Sequence, residues 1–270
     1  MRSTQRRDGA ELTERDAHEP FPLLCIAALS GTALWPERAH AMHLSDGMLP
    51  AGACLSWAVL SLACVVIAFR RFDRARLRDP QLAPLMAMLG AGVFAISCMP
   101  VPVPWVGTCS HPCGTGLAAI VLGPLPTVLI TAIALLLQAL FLAHGGLTTL
   151  GADIASMGIA GGFTGYLVFH GLRRAGVGLA GAGFVAGMFS DWATYATTAL
   201  ELALGLRGAE SFGGTFAAVA LAFAPTQLPL GLLEGALTAG ALTFLHRRRP
   251  ALLARLQVLP ARRESTASSP

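Results

Sequence analysis

Met42 and His43 carry the most distinctive chemistry in the sequence, because Ala39-His40-Ala41 stands directly before them. Small residues at these two places are what a signal peptidase reads, so a cut after Ala41 leaves a chain that begins with the free amine of Met42. An imidazole follows one residue later. Such a start offers three nitrogens in one plane: the Met42 amine, the deprotonated His43 amide and His43 Nδ1. A flat array of nitrogen donors suits Ni(II) or Cu(II), and Co(II) is also held by nitrogen. A fourth ligand is then required. His111 is the best candidate, being the single histidine of the proline- and glycine-rich segment 99–116.

Other readings of these residues stay open. Cys109 and Cys113 flank His111 and suggest a thiolate site in the manner of zinc; at an oxidising outer face such cysteines pair or stay protonated. His144, followed by Gly145-Gly146, either lines the entrance to the site or sits at a wet interface. His170 and His246 read as interfacial residues. A short terminus frays unless it is docked, and Asp46-Gly47 predicts a turn that folds it back. The alternative is a polar linker before the first helix.

These residues need a membrane-embedded frame. The sequence is 54% hydrophobic and 13% charged, with a mean hydropathy of +0.62, the composition of an integral membrane protein. Every basic residue other than histidine is an arginine, and most arginines gather in short clusters. That pattern reports membrane orientation, not nucleic-acid binding. Apolar stretches long enough to cross lie at 51–69, 82–98, 125–143, 152–172, 178–204 and 226–246, with a shorter one at 115–124. The clusters Arg70/Arg71/Arg74/Arg76/Arg78, Arg173/Arg174 and Arg247/Arg248/Arg249 share the cytoplasmic side only if 115–124 counts as a crossing. The expected fold is therefore an all-α polytopic bundle of seven transmembrane helices, N-terminus out and C-terminus in, with Arg207 outside. The short crossing must be buried among its neighbours, or continue into the loop before it, to be tolerated at membrane depth.

Residues 1–41 read as a signal peptide, 42–250 as the membrane domain and 251–270 as a polar cytoplasmic tail. The apolar run Phe21–Trp35 is short of the roughly 20 residues a span takes. An uncleaved anchor, or translation beginning at Met42, are the alternatives. Cys25 leaves with the leader, and the remaining Cys54, Cys64, Cys98, Cys109 and Cys113 are an odd set that describes no disulfide framework. Gly158, Gly161, Gly162 and Gly165 read as a close-packing surface between helices. Asp191 and Glu234 fall within apolar stretches, where an acid is costly unless paired or hydrogen-bonded. A scaffold role, accepting bonds from Thr, Tyr or backbone of neighbouring segments, is expected for both, with a transport role as the alternative.

Three stretches then become specific: Met42-His43-Leu44-Ser45-Asp46-Gly47, Gly107-Thr108-Cys109-Ser110-His111-Pro112-Cys113-Gly114-Thr115-Gly116-Leu117, and Leu135–Leu140 with Ala143-His144-Gly145-Gly146-Leu147-Thr148-Thr149-Leu150-Gly151-Ala152. Together they resemble the CbiM/NikM family, the substrate-binding membrane subunits of energy-coupling factor (ECF) transporters for cobalt and nickel. The resemblance runs from Met42 to about His246. It implies a seven-helix subunit whose N-terminus inserts into the bundle, with the ion held by Met42, His43 and His111. The Ser-His-Pro core of the loop resembles the branch that supplies cobalt for cobalamin synthesis; nickel uptake is the alternative cargo. Cys113 stands where that branch more usually has Thr.

The implied setting is the inner membrane of a bacterial cell, among lipid, with no nucleic acid and no resident cofactor. The implied partners are an integral transmembrane coupling subunit, a pair of cytoplasmic ATPase subunits and a small accessory membrane subunit. No Gly-x-x-x-x-Gly-Lys-Ser/Thr loop is present, so ATP hydrolysis belongs to another chain. Two further readings are an intramembrane zinc enzyme, using His111, Cys109 and Cys113 with Glu234 as base, and a purely structural membrane subunit. The first lacks a His-Glu-x-x-His run, and no enzymatic activity is expected.

Overall fold

The computed structural model describes residues 43–99, 101–103, 108–206, 208 and 211–258. The leader, Met42, Arg207 and the tail beyond 258 lie outside the described residues. Among the described residues eight helices follow one another: α1 Ala51–Arg78, α2 Leu82–Ser97, α3 Thr115–Leu122, α4 Pro124–Phe141, α5 Leu150–Arg174, α6 Leu179–Leu206, α7 Phe212–Arg248 and α8 Pro250–Arg255. Four of them, α1, α4, α5 and α7, are long and apolar enough to cross a membrane. Polar residues such as Ser190, Asp191, Thr194 and Glu201 dilute the apolar character of α6, and all four are buried. Leu55, Val59, Leu62, Phe141, Leu221 and Phe244 are exposed on the outside of the bundle. Polar groups inside and apolar side chains outside is the arrangement that lipid requires.

Helix ends depart from the hydropathy boundaries for physical reasons. α1 continues nine residues past 69 to Arg78, because arginine is a good helix former and Arg76 pairs with Asp73 one turn back at 2.6 Å. Polarity there marks the edge of the apolar zone, not the end of the helix. α7 starts at Phe212 instead of 226 and runs through Pro225 and Pro229. Each proline removes a single N–H; Ser211 caps the start by accepting from Gly214 N at 3.1 Å, and α6 supports the helix through Trp192, whose Nε1–H donates to Gln227 O at 3.0 Å.

The segment before α3 is not irregular throughout. Val101–Val103 (β1) and Thr108–Ser110 (β2) pair antiparallel, with Pro102 opposite Cys109. This ribbon of three residues a side is the one departure from an all-helical fold among the described residues. Proline is tolerated in so short an edge strand, where its missing N–H breaks no continuing ladder. Within the expected polar tail, residues 251–258 continue α8 from Pro250 and end in a turn, with Leu253 and Val258 buried in one cluster with Phe169 and Leu242.

α3 is only eight residues long, and six of them are buried. It meets α5 and α6 where Gly116, Gly165 and Ser190 converge: a Cβ on Gly165 would sit 3.0 Å from Gly116 Cα and 3.1 Å from Ser190 Cβ. Within α5 the turns widen to π-helix over Ile154–Gly161, a geometry that frees backbone groups and recurs near functional sites. Ser190 Oγ–H satisfies the carbonyl of Gly161 at 2.9 Å.

One end of the bundle gathers the arginines. Arg255 of α8 donates to Gln81 Oε1 at 2.5 Å and lies 3.8 Å from Asp79, which ties the end of α7 to the end of α1. Leu172 and Val177, flanking Arg173/Arg174, pack into the same cluster as Leu253. The N-terminal segment lies at the other end, where Leu49 meets Gly205 near the end of α6. Gly165→Val is expected to destabilise the protein by about 1–3 kcal/mol through overpacking, read as a lower unfolding temperature in detergent. Gly171→Ala, where a Cβ meets open space, should leave that temperature unchanged.

Candidate metal centre

Residues 43–49 are not a frayed end. Leu44 N donates to Asp153 Oδ1 at 3.1 Å, and the hydroxyl of Thr149 donates to Leu44 O. Asp46 Oδ1 accepts from Thr148 N at 2.8 Å and from Thr148 Oγ1 at 2.5 Å. Met48 N closes the expected turn onto Ser45 O at 3.2 Å, with Gly47 at a φ of +85°. The docking needs both glycines after His144. Gly145 has a φ of +87° and backs onto His43, while a Cβ on Gly146 would lie 2.5 Å from Asp46 N.

Docking brings His43 beside His111, with ring centroids 4.5 Å apart. Both side chains are buried, as is His144, whose ring centroid lies 5.0 Å from that of His43. The surrounding bonds assign the ring protons. Gln138, fully buried in α4, donates its amide hydrogens to Ser97 Oγ at 2.7 Å and Phe94 O at 3.3 Å. Its Oε1 therefore faces His43 Nε2, at 3.0 Å, and that nitrogen carries the proton. His111 Nδ1 lies 3.1 Å from Pro112 O, a carbonyl that takes only a donor. The lone pairs of His43 Nδ1 and His111 Nε2 are left facing one another at 3.2 Å.

Burial, with His111 and His144 alongside, holds His43 well below the ordinary imidazole range. Burial likewise brings His111 and His144 down to about 4. All three are neutral at physiological pH, the form that binds a metal. A cavity of about 20 Å³ lies against His43 and His111 and is lined by Asp153, Ser156, Thr194, Tyr195 and Thr198, room for about one water-sized species. His144 Nε2 is buried and makes no hydrogen bond among the described residues.

The loop bearing His111 is held from three sides. Tyr195 Oη accepts from His111 N at 2.9 Å and donates to His111 O at 3.1 Å. Glu234 takes one backbone N–H on each carboxylate oxygen, from Cys113 at 2.6 Å and from Gly114 at 2.7 Å. Ser110 Oγ meets Gln227 Nε2 and, at 3.2 Å, Thr226 Oγ1. Glu234 thus grips the loop that bears His111. Asp191 is different: it is fully buried, and neither of its oxygens has a partner among the described residues.

The structure brings together His43 and His111 of the expected ligands and adds His144 as a buried neighbour; Met42 lies outside the described residues, as does the Cys109 side chain. Cys113 sulfur approaches the His111 carbonyl at 3.9 Å. His170 stacks on Tyr166 with centroids 4.0 Å apart, and His246 is exposed in the last turn of α7. Sequence reasoning passed over Gln138, Thr149, Asp153 and Tyr195 as site residues. Their signal was present: Gln138 is the lone amide in the apolar helix α4, and such isolated polar residues need an internal partner.

The family described as the cobalt uptake substrate-specific transmembrane region, CbiM, matches residues 43–252. The chain belongs to the CbiM family. CbiM proteins are substrate-specific transmembrane components of cobalt uptake, so this chain is a multi-pass transporter component and not an enzyme. It is 64% identical over 218 residues to the cobalt transport protein CbiM of Sorangium cellulosum, covering 81% of this chain and 97% of that protein. Identity to the CbiM of Geobacter sulfurreducens is 56% over 235 residues, 87% of this chain and 68% of the relative. A crystal structure of a truncated transition metal transporter shares the fold with a TM-score of 0.68 at 25% identity, covering 76% of this chain and 99% of that one.

Two outcomes test the docking of these segments in this CbiM protein. Glu234→Gln replaces one acceptor with a donor facing a backbone N–H, and is expected to cost about 1–3 kcal/mol, read by thermal unfolding in detergent. The bonds from Thr148 hold the Asp46 carboxyl below the usual carboxylate range. Such a group stabilises above its unfolded pKa and stops contributing only as pH falls through the lowered folded value. Exchange protection of the Thr148 amide should therefore persist through the ordinary aspartate range and fail only in stronger acid.

Proposed function

We propose that this chain is the capture subunit of an energy-coupling factor transporter, binding Co(II) at the outer face of a bacterial inner membrane. The ligands are the Met42 amine, the amide nitrogen and Nδ1 of His43, and Nε2 of His111. One observation carries the reading: two imidazole lone pairs face one another across 3.2 Å. Opposed lone pairs repel unless a cation stands between them. Two nitrogens each about 2.0–2.1 Å from one ion stand roughly 2.8–3.4 Å apart as its bond angle opens from square to tetrahedral. Gln138 orients the His43 ring from behind, the second-shell device that metal sites use.

Cobalt is favoured by the family and by the relatives named above, with Ni(II) the alternative ion for the same donors. The mature protein begins at Met42, because only a free terminus supplies the amine. Seven crossings with the N-terminus outside are supported by the gathering of the three arginine clusters at one end and the histidines toward the other. The membrane domain ends near residue 250, with the polar tail on the cytoplasmic side. Energy comes from partner chains, an integral coupling subunit and cytoplasmic ATPases with a small accessory membrane subunit, since this chain carries no phosphate-cradling loop.

His43→Ala and His111→Ala should each abolish high-affinity Co(II) binding in equilibrium dialysis while the protein still inserts into membranes. One residue added before Met42 turns the amine into an amide; affinity should collapse, and unchanged affinity would show that the amine is not a ligand. Metal capture displaces protons from the amine and amide, so affinity should fall as pH is lowered from 8 to 6. The imidazoles, already neutral across that range, contribute nothing to the slope.

A further inference from the structure

Cys113, Asp191 and Glu234 bring one sulfur and two carboxylates to a common point inside the bundle. One ligand atom from each lies within 4.8 Å of the other two, and all three residues are buried. Glu234 spends one lone pair per oxygen on the loop N–H groups and keeps others free. Asp191 has no hydrogen-bond partner on either oxygen among the described residues. The ion pairs among the described residues, Arg76 with Asp73 and Arg255 with Asp79, involve neither acid and lie at the arginine-rich end. Two carboxylates this close and this deep are costly without a positive charge between them.

A sulfur and two carboxylate oxygens form a mixed donor set that suits a borderline divalent ion such as Co(II) or Zn(II) better than a hard one. The position of the cluster adds direction. Asp191 lies one turn before Tyr195 on α6, about 6 Å along the axis, and Tyr195 is the residue that holds the His111 backbone. The cluster is therefore one turn closer to the arginine-rich end than the histidines. Cys113 and His111 belong to the same loop, two residues apart, so an ion leaving one meets the other.

We propose that Cys113, Asp191 and Glu234 form a second, sulfur-containing site for a divalent transition-metal ion, which receives the cargo from the histidine site on its way inward. This rests on the histidine site being where the cargo is captured, as argued above. Ligation forms one metal–sulfur bond, and the thiol proton leaves to solvent as the ion enters.

The test is a Co(II) titration of the full protein isolated from membranes in detergent and stripped of metal. Two equivalents should bind. The first carries only nitrogen-ligand absorption; the second adds the near-ultraviolet sulfur-to-cobalt charge-transfer band. Cys113→Ser should remove that band, and Asp191→Asn should weaken the second equivalent by at least about tenfold while leaving the first unchanged. A single equivalent with no sulfur band in the unaltered protein overturns the proposal, as does a band that survives Cys113→Ser. Failure of the capture-site reading looks different: the nitrogen-type equivalent would then be insensitive to His43→Ala, whatever the sulfur band does.

Discussion

Two stretches of non-helical backbone, residues 43–49 and 108–114, lie against a bundle whose exterior is apolar, and their polar atoms must find partners within the protein. That constraint organises the site. Water is not available at depth to satisfy a stray N–H or carbonyl, so each such group left unpaired costs several kcal/mol. The helices answer with side chains placed where the segments pass: Asp153 and Thr149 for Leu44, Thr148 for Asp46, Tyr195 for His111, Glu234 for Cys113 and Gly114.

The same bonds that satisfy the backbone aim the imidazoles. Gln138 is pinned by Ser97 and Phe94, so its carbonyl oxygen has one direction to face, and His43 must present Nδ1 on its other side. Pro112 O does the equivalent for His111. Two neutral rings with converging lone pairs, beside a cavity of about 20 Å³, are held rigid in advance, as the proposed capture site requires. Rigidity of this kind lets a site select an ion by geometry where intrinsic affinities would not discriminate. The burial that keeps the rings neutral also shields them from water, so the two imidazole nitrogens would meet a cation without first losing protons.

The packing that permits this is close. α3 is too short to cross alone at 1.5 Å per residue, and it survives because Gly116 lets α5 and α6 approach its backbone. The widened turns of Ile154–Gly161 place Ser156 and Met157 toward the histidines. The acids divide by role. Glu234 gives one lone pair on each oxygen to the loop, whereas Asp191 beside it makes no hydrogen bond among the described residues, which is why the pair carries more meaning than either residue in isolation.

Much of this was legible in the chain itself. Apolar length located the helices, arginine clusters predicted which ends lie together, and His43 with the one histidine of a proline- and glycine-rich loop pointed to two imidazoles that the fold brings side by side. Helix limits were less legible: hydropathy reports where lipid stops, and arginine-rich turns or internal prolines let α1 and α7 run further. Only the tertiary structure could decide that His144 joins the other two, that Gln138 sets the His43 tautomer, and that Glu234 grips a loop while Asp191 finds no hydrogen-bond partner among the described residues. These depend on contacts between residues such as His43 and His111, 68 positions apart. Local pattern dictates which face of a helix is polar, but the partner of a buried polar group is chosen by the packing of distant segments.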